Sequence, residues 1–195
     1  KKCLFIAFNK SIVEELTRRL DGYDNCTIKT IHSLGYLIVR RNLGSEIEID
    51  EYKYRTYLKK HIGELTSIAE GTYLTRQIVE EYIDSISMLI DYSRFNVAQS
   101  IREIEQVAIR YDIPVSFDEC EVALKCLKWG KENYQTIDYT DMVWLPYELS
   151  LKPTGLQFDW IFFDEAQDAS QMAIELFLRC FKRGTRFVSV GDKDQ

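Results

Sequence analysis

The stretch 158-FDWIFFDEAQDAS-170 holds two opposed characters within thirteen residues. Phe158 to Phe163 is a short apolar run of the kind that forms a buried strand. Asp164, Glu165 and Asp168 then place three acids in the next five residues. Ser170 and "QMAIELF" after them read as the start of a helix. A strand that ends in two adjacent carboxylates and passes into a helix has two readings. The acids favour the positive end of the helix. Alternatively, they sit beyond the carboxyl end of a parallel strand, where open α/β sheets place their ligands. Successive strand residues point to opposite sides. On the second reading one acid can hold a magnesium ion through water and the other can face an attacking water, a division that suits phosphoryl transfer.

The rest of the chain favours the second reading. About 20 residues on, "RFVSV" reads as another buried strand and ends in 190-VGDKDQ-195. Gly191 permits a tight exit, and Asp192 and Gln195 fall at the same sheet edge as Asp164 and Glu165. The beginning of the chain alternates in the same way. "CLFIAF" is a buried strand. Ile12, Val13, Leu16 and Leu20 share one helical face, Ser11 and Glu14 have capping-box spacing, and Asp21-Gly22 closes that helix. "CTIKT" is a second strand and "IHSLGYLIVRR" a second helix. Strand–helix alternation predicts an α/β fold with a parallel sheet. Between Gly44 and Tyr134 the period changes: four segments carry apolar residues at three- and four-residue spacing and read as amphipathic helices with few strand signals. Alternation then resumes at "TDMVWLPYELSL", helical at first and stopped near Pro153-Thr154-Gly155. Lys182, Arg183 and Gly184 are expected to end the helix that follows the acids. The predicted organisation is one α/β domain (1–43 and 135–195) interrupted by a helical insertion (44–134).

Bulk composition restricts the function classes. The chain has 195 residues, of which 46% are hydrophobic and 29% charged, a globular composition. A net charge of −6 gives no global field for nucleic acid, so such binding needs a local groove with stacking. Five cysteines without a CxxC pair and two distant histidines argue against zinc and against a disulfide framework. Reduced thiols are the plain reading. No apolar run approaches a membrane span, and none fits a signal peptide.

"DEAQD" and "VGDKDQ", in that order and spacing, resemble motifs II and III of superfamily 1 DNA helicases of the UvrD/Rep/PcrA type. "LFIAFNKSIVEEL" resembles motif Ia, "TIHSLGY" the next DNA-contacting motif, and "IDYTDMVWLP" the segment before motif II. The wording is closest to F-box DNA helicases and phage- or plasmid-type members. The resemblance implies a P-loop NTPase (RecA-like) domain 1A, incomplete, with the insertion as domain 1B. It implies that Asp164 holds the Mg²⁺ of Mg–ATP, that Glu165 polarises the hydrolytic water and that Gln195 senses the γ-phosphate. Gln167 would lie near the nucleotide and the coupling network, and Asp192 would help link the γ-phosphate sensing of Gln195 to DNA binding. It implies single-stranded DNA and a duplex junction as partners, 3′→5′ movement, and a role in DNA repair or replication. The compartment implied is the cytoplasm in a bacterial or phage setting, or the nucleus in a eukaryote.

A phosphate-cradling G-x-x-x-x-G-K-[ST] loop is absent from these residues. Gly130-Lys131 fails the pattern, since Lys125 and Glu132 stand where a glycine and a hydroxyl residue are needed. The chain begins with Lys and ends just past a strand, so it is expected to be a piece of a longer protein, with the phosphate loop before Lys1 and the second motor domain after Gln195, and to hydrolyse little ATP alone. A helicase–nuclease of the RecB/AddA type and a non-catalytic DNA-binding scaffold are the alternative classes.

Phe8, Asn9 and Lys10 sit at a strand-to-helix junction whose backbone N–H groups favour phosphate, and the resemblance puts them in the DNA channel. Relatives commonly carry the aromatic two residues before the Asn, so Phe8 stands as either a stacking residue or core. Thr30, His32 and Ser33 occupy a second such junction and are candidates for the DNA backbone. Tyr36 is open to stacking or packing. Tyr139 and Asp141 are open to the DNA path or to packing beneath it, and Trp144 reads as packing. The tyrosines of the insertion are assigned no site.

Overall fold

Leu4 and Ile6 on one strand lie in register with Ile161 and Phe163 on another, and all four side chains are buried. About 150 residues separate the two strands in the chain. A computed structural model describes residues 1–7, 9–65 and 76–192. These strands, β1 (Cys3–Ala7) and β5 (Phe158–Phe163), form the centre of a four-stranded parallel sheet. β2 (Cys26–Thr30) flanks β1, and β6 (Phe181–Ser189) flanks β5, giving the order β2-β1-β5-β6. Every pairing is parallel. The mixed α/β class with a parallel sheet, read from the alternation of periods, is what the structure has.

Alternation along the strands sorts residues between the two faces. Leu4, Ile6, Ile161 and Phe163 face one way, where Phe163 stacks on Phe177 at 4.9 Å. Phe5 stacks on Phe162 at 4.5 Å on the other face, and Trp160 continues that row under Arg186. The helices of this part of the chain are α1 (Lys10–Arg19), α2 (Ile31–Leu43), α7 (Tyr139–Glu148) and α8 (Gln171–Leu178). Gly35 of α2 lies so close to α7 that a Cβ there would stand 2.1 Å from the Met142 carbonyl oxygen.

Two local readings of the sequence change. The cap of α1 is Asn9, whose Oδ1 accepts the Ile12 N–H at 3.0 Å, so Ser11 falls inside the first turn and forms no capping box. Asn9 takes the extended conformation that a cap needs, one residue before the helix starts. Lys182, Arg183 and Gly184 do not end a helix. α8 stops at Leu178, and these three residues belong to β6. The register jumps from Phe158↔Phe181 to Trp160↔Arg186, so the intervening residues bulge from the ladder. Gly184, at φ 85°, makes the turn. The Thr185 hydroxyl closes it, donating to the Phe158 carbonyl at 2.7 Å and accepting the Lys182 N–H at 2.9 Å. The free edge of β5 supplies hydrogen-bond partners that a local helix signal does not foresee.

The chain divides into two compact units, Lys1–Glu46 with Asp141–Gln195, and Ile47–Thr140. The second contains α3 (Lys53–Leu65), α4 (Arg76–Phe95), α5 (Ile101–Arg110) and α6 (Phe117–Glu132). Ser100 and Ser116 open α5 and α6 with reciprocal capping boxes to Glu103 and Glu119. Ile83, Ile86, Leu89, Ile90, Ile104 and Leu127 form part of its core. The unit also holds a two-stranded parallel sheet of β3 (Glu48–Ile49) and β4 (Thr136–Ile137), which two-residue strands cannot announce by period. Arg94, 1% exposed, makes a two-point ion pair to Asp138 at 2.8 and 2.7 Å and lies over the Tyr54 ring at 4.2 Å. No helix among the described residues is long and apolar enough to cross a membrane.

Candidate active site

β5 ends at Phe163, and both neighbours hold the residues that follow. The Asp164 N–H donates to the Ile6 carbonyl of β1 at 3.0 Å. On the other side the Val190 N–H donates to the Phe163 carbonyl at 2.9 Å, and the Ala166 N–H donates to the Val190 carbonyl at 3.0 Å. Between these anchors Glu165 adopts the left-handed conformation, φ 50° and ψ 49°. Alternation along a strand therefore does not separate the two acids. A left-handed turn, not a continued strand, carries the chain from Asp164 past Glu165. Such a conformation costs a non-glycine residue about 1–2 kcal/mol. The other described non-glycine residues with positive φ (Val97, Asp112 and Ser150) each follow the end of a helix, where this conformation is an ordinary termination. Glu165 alone among them follows a strand, and strain of this kind collects at functional positions.

Gln167 fastens the turn. Its Nε2 donates to Glu165 Oε2 at 2.6 Å, and its Oε1 accepts the Asp192 N–H at 3.1 Å. The segment after β5 and the segment after β6 are thus joined through one amide side chain. Gly191 makes room for it: a Cβ there would meet Gln167 Oε1 at 2.3 Å. The sequence reading gave Gly191 a tight exit from the strand; the close approach of Gln167 is the stronger constraint.

The helix-cap reading of the acids does not hold. α8 begins at Gln171, its cap is Ser170, whose Oγ accepts the Ala173 N–H at 3.2 Å, and its first turn contains no acid. Ala166–Asp168 forms a separate 3-10 turn. Asp164 and Glu165 are half-buried at the sheet edge and play no part in starting that helix.

Parallel strands bring the other candidates to the same edge. Asn9 and Lys10 follow β1, Thr30 ends β2 and caps α2, and His32 and Ser33 lie in the first turn of α2. Much of their polar chemistry is spent locally. Asn9 caps α1. The Thr30 hydroxyl accepts the Ser33 N–H at 3.2 Å, while the Ser33 hydroxyl donates to the Thr30 carbonyl at 3.0 Å. Lys10 and His32 are exposed. The Lys10 ammonium is 3.9 Å from Glu14, a solvent-exposed pair that leaves it accessible. Partial desolvation of the imidazole lowers the His32 pKa, favouring its neutral form. Phe8 and Gln195 lie outside the described residues. Trp144 is buried, as is Asp141, while Tyr139 is exposed. Tyr36 packs against Arg40.

No group of three or more His, Cys, Asp or Glu side chains that could hold a metal gathers among the described residues. The adjacent carboxylates of Asp164 and Glu165 are a donor set that suits Mg²⁺ delivered with phosphate, since Mg²⁺ takes one or two carboxylates and completes its shell with phosphate oxygens and water. The family model for the UvrD/REP helicase N-terminal domain matches residues 1–195. No curated protein matches the chain.

Proposed function

Because the chain belongs to the UvrD/REP helicase N-terminal domain family, we propose that its sheet edge is the nucleotide-hydrolysing face of an ATP-driven DNA helicase moving 3′→5′ on single-stranded DNA. On this reading the unit Lys1–Glu46 with Asp141–Gln195 is the RecA-like domain 1A, and Ile47–Thr140 is the helical domain 1B. Asp164 takes the Mg²⁺ of Mg–ATP, which would neutralise charge on the phosphates. Glu165 orients and polarises the attacking water. Gln195 contacts the γ-phosphate. Lys10 and His32 meet the DNA backbone, and Asn9, Thr30 and Ser33 shape the two junctions that present them.

The observation that carries this reading is the hydrogen-bonded chain Glu165–Gln167–Asp192. A carboxylate that positions water must be held in one orientation, because a misplaced base loses most of its effect. The Gln167 amide does this for Glu165 and ties it to the segment after β6. A change at Asp192 then moves Gln167 and, through it, Glu165, a short route for coupling hydrolysis to DNA.

The test is Glu165→Gln in a protein carrying both motor domains. DNA-stimulated ATP turnover should fall about 100-fold or more, with Mg–ATP binding retained. Turnover at the unmutated rate would remove Glu165 from its role.

A further inference from the structure

Cys3 and Cys26 are register partners at the first positions of β1 and β2. Neighbouring strands lie about 4.7–4.9 Å apart, inside the range of about 4.4–6.8 Å that a disulfide spans between Cα atoms. Partners in a parallel register project to the same face, so the two sulfurs are side by side and not divided by the sheet. Both residues are free thiols and partly exposed, whereas Cys120, Cys126 and Cys180 are buried. Trp160, in register with Cys3 on its other side, occupies the same face.

We propose that Cys3 and Cys26 form a dithiol modification site, oxidised by hydroperoxides to a disulfide that staples the edge strand β2 to β1. One thiolate attacks the terminal oxygen of hydrogen peroxide; the O–O bond breaks, leaving a sulfenic acid and hydroxide, which takes up the proton the thiol released. The second thiol then attacks the sulfenyl sulfur, the S–S bond forms, and the sulfenyl oxygen leaves as water. Two thiols lose two electrons and two protons, and one peroxide becomes two waters. The staple lies at the starts of the strands, opposite the edge that carries Asp164 and Glu165, so oxidation leaves those residues untouched.

The chemistry discriminates among the five cysteines. Burial pushes the Cys126 and Cys180 thiols up to about 12, which holds them as unreactive thiols. Burial and the neighbouring Cys3 also raise the Cys26 thiol. Closure should therefore quicken as pH rises.

The folded protein is treated with limiting hydrogen peroxide, alkylated after denaturation and digested with trypsin. Two of the five thiols should be lost, and the segments Cys3–Lys10 and Leu20–Lys29 should appear as one disulfide-linked species that a thiol reductant separates. Amide exchange across Cys26–Thr30 should slow on oxidation and recover on reduction. Cys3→Ser should abolish the link while circular dichroism stays that of the parent. Independent oxidation of the two thiols, links between copies of the chain, or unchanged exchange in β2 would each overturn the proposal. The primary reading uses the unmutated protein, so an unstable variant does not obscure it.

Discussion

At the scale of single residues, Glu165 sits in a left-handed turn just after β5, and the Gln167 amide holds its carboxylate there. Asp164 and Glu165 were legible as paired acids because a buried strand runs into them. The left-handed turn at Glu165 was not, since only a glycine or asparagine advertises positive φ. Gln167 illustrates the same limit: one amide serves two segments about 25 residues apart, and no local pattern encodes that distance. Arg94 and Asp138 gave no sequence signal either, being separated by 44 positions. Asp138 bonds the buried Arg94 at two points, and the half-exposed Asp91 accepts from the same guanidinium at 2.5 Å, so removing Asp138 leaves the charge with that acid. Asp138→Ala is expected to cost about 1–3 kcal/mol in urea unfolding, because buried guanidinium donors lose their acceptors while Asp91 keeps part of the pairing. A cost well below about 1 kcal/mol would mean that Asp91 alone satisfies Arg94.

At the scale of elements, boundaries moved where backbone partners were available from elsewhere in the chain. Helix α8 gave up its expected last turn because the β5 edge offered a ladder to Phe181–Ser189. Helix α2 tells the opposite story. Its extent follows the sequence reading, but the role of Gly35 appears only when α7 packs against it. Gly35→Ala sets a methyl against the Met142 backbone carbonyl, which cannot rotate away. It should destabilise by about 1–3 kcal/mol or more, read as a fall in the thermal midpoint. Strand pairing also carries a pH dependence. Lys182 lies 2.6 Å from Asp159 at the start of β5, and the Lys2 N–H donates to the same carboxylate at 2.7 Å; both hold its pKa below the ordinary value of 3.8. A depressed folded pKa means stability that is present above the unfolded value and lost as pH falls through the folded one. The acid limb of a stability profile should therefore decline below about pH 3.8, and Asp159→Asn should flatten that decline.

At the scale of the whole molecule, the two units differ in how the chain builds them. One joins both ends of the chain, so β1 has no β5 until residue 163 is made. The other is continuous from Ile47 to Thr140, with its own core, capping boxes and buried ion pair. Residues 47–140 expressed alone should give a dispersed amide spectrum and a cooperative melt, whereas residues 1–46 alone should not. A disordered 47–140 would show that its core depends on the rest of the chain.

The sequence by itself determined the fold class, the strand–helix alternation at both ends of the chain, the helical middle and the family, because hydrophobic period and short motifs are local properties of the chain. It placed Asp164, Glu165 and Asp192 at strand ends for the same reason. Tertiary structure alone decided the strand order β2-β1-β5-β6, the bulge in β6, the left-handed turn at Glu165 and the bridge made by Gln167. Each of these depends on a backbone or side-chain partner that arrives from a distant segment, and no local window contains both halves of such a contact.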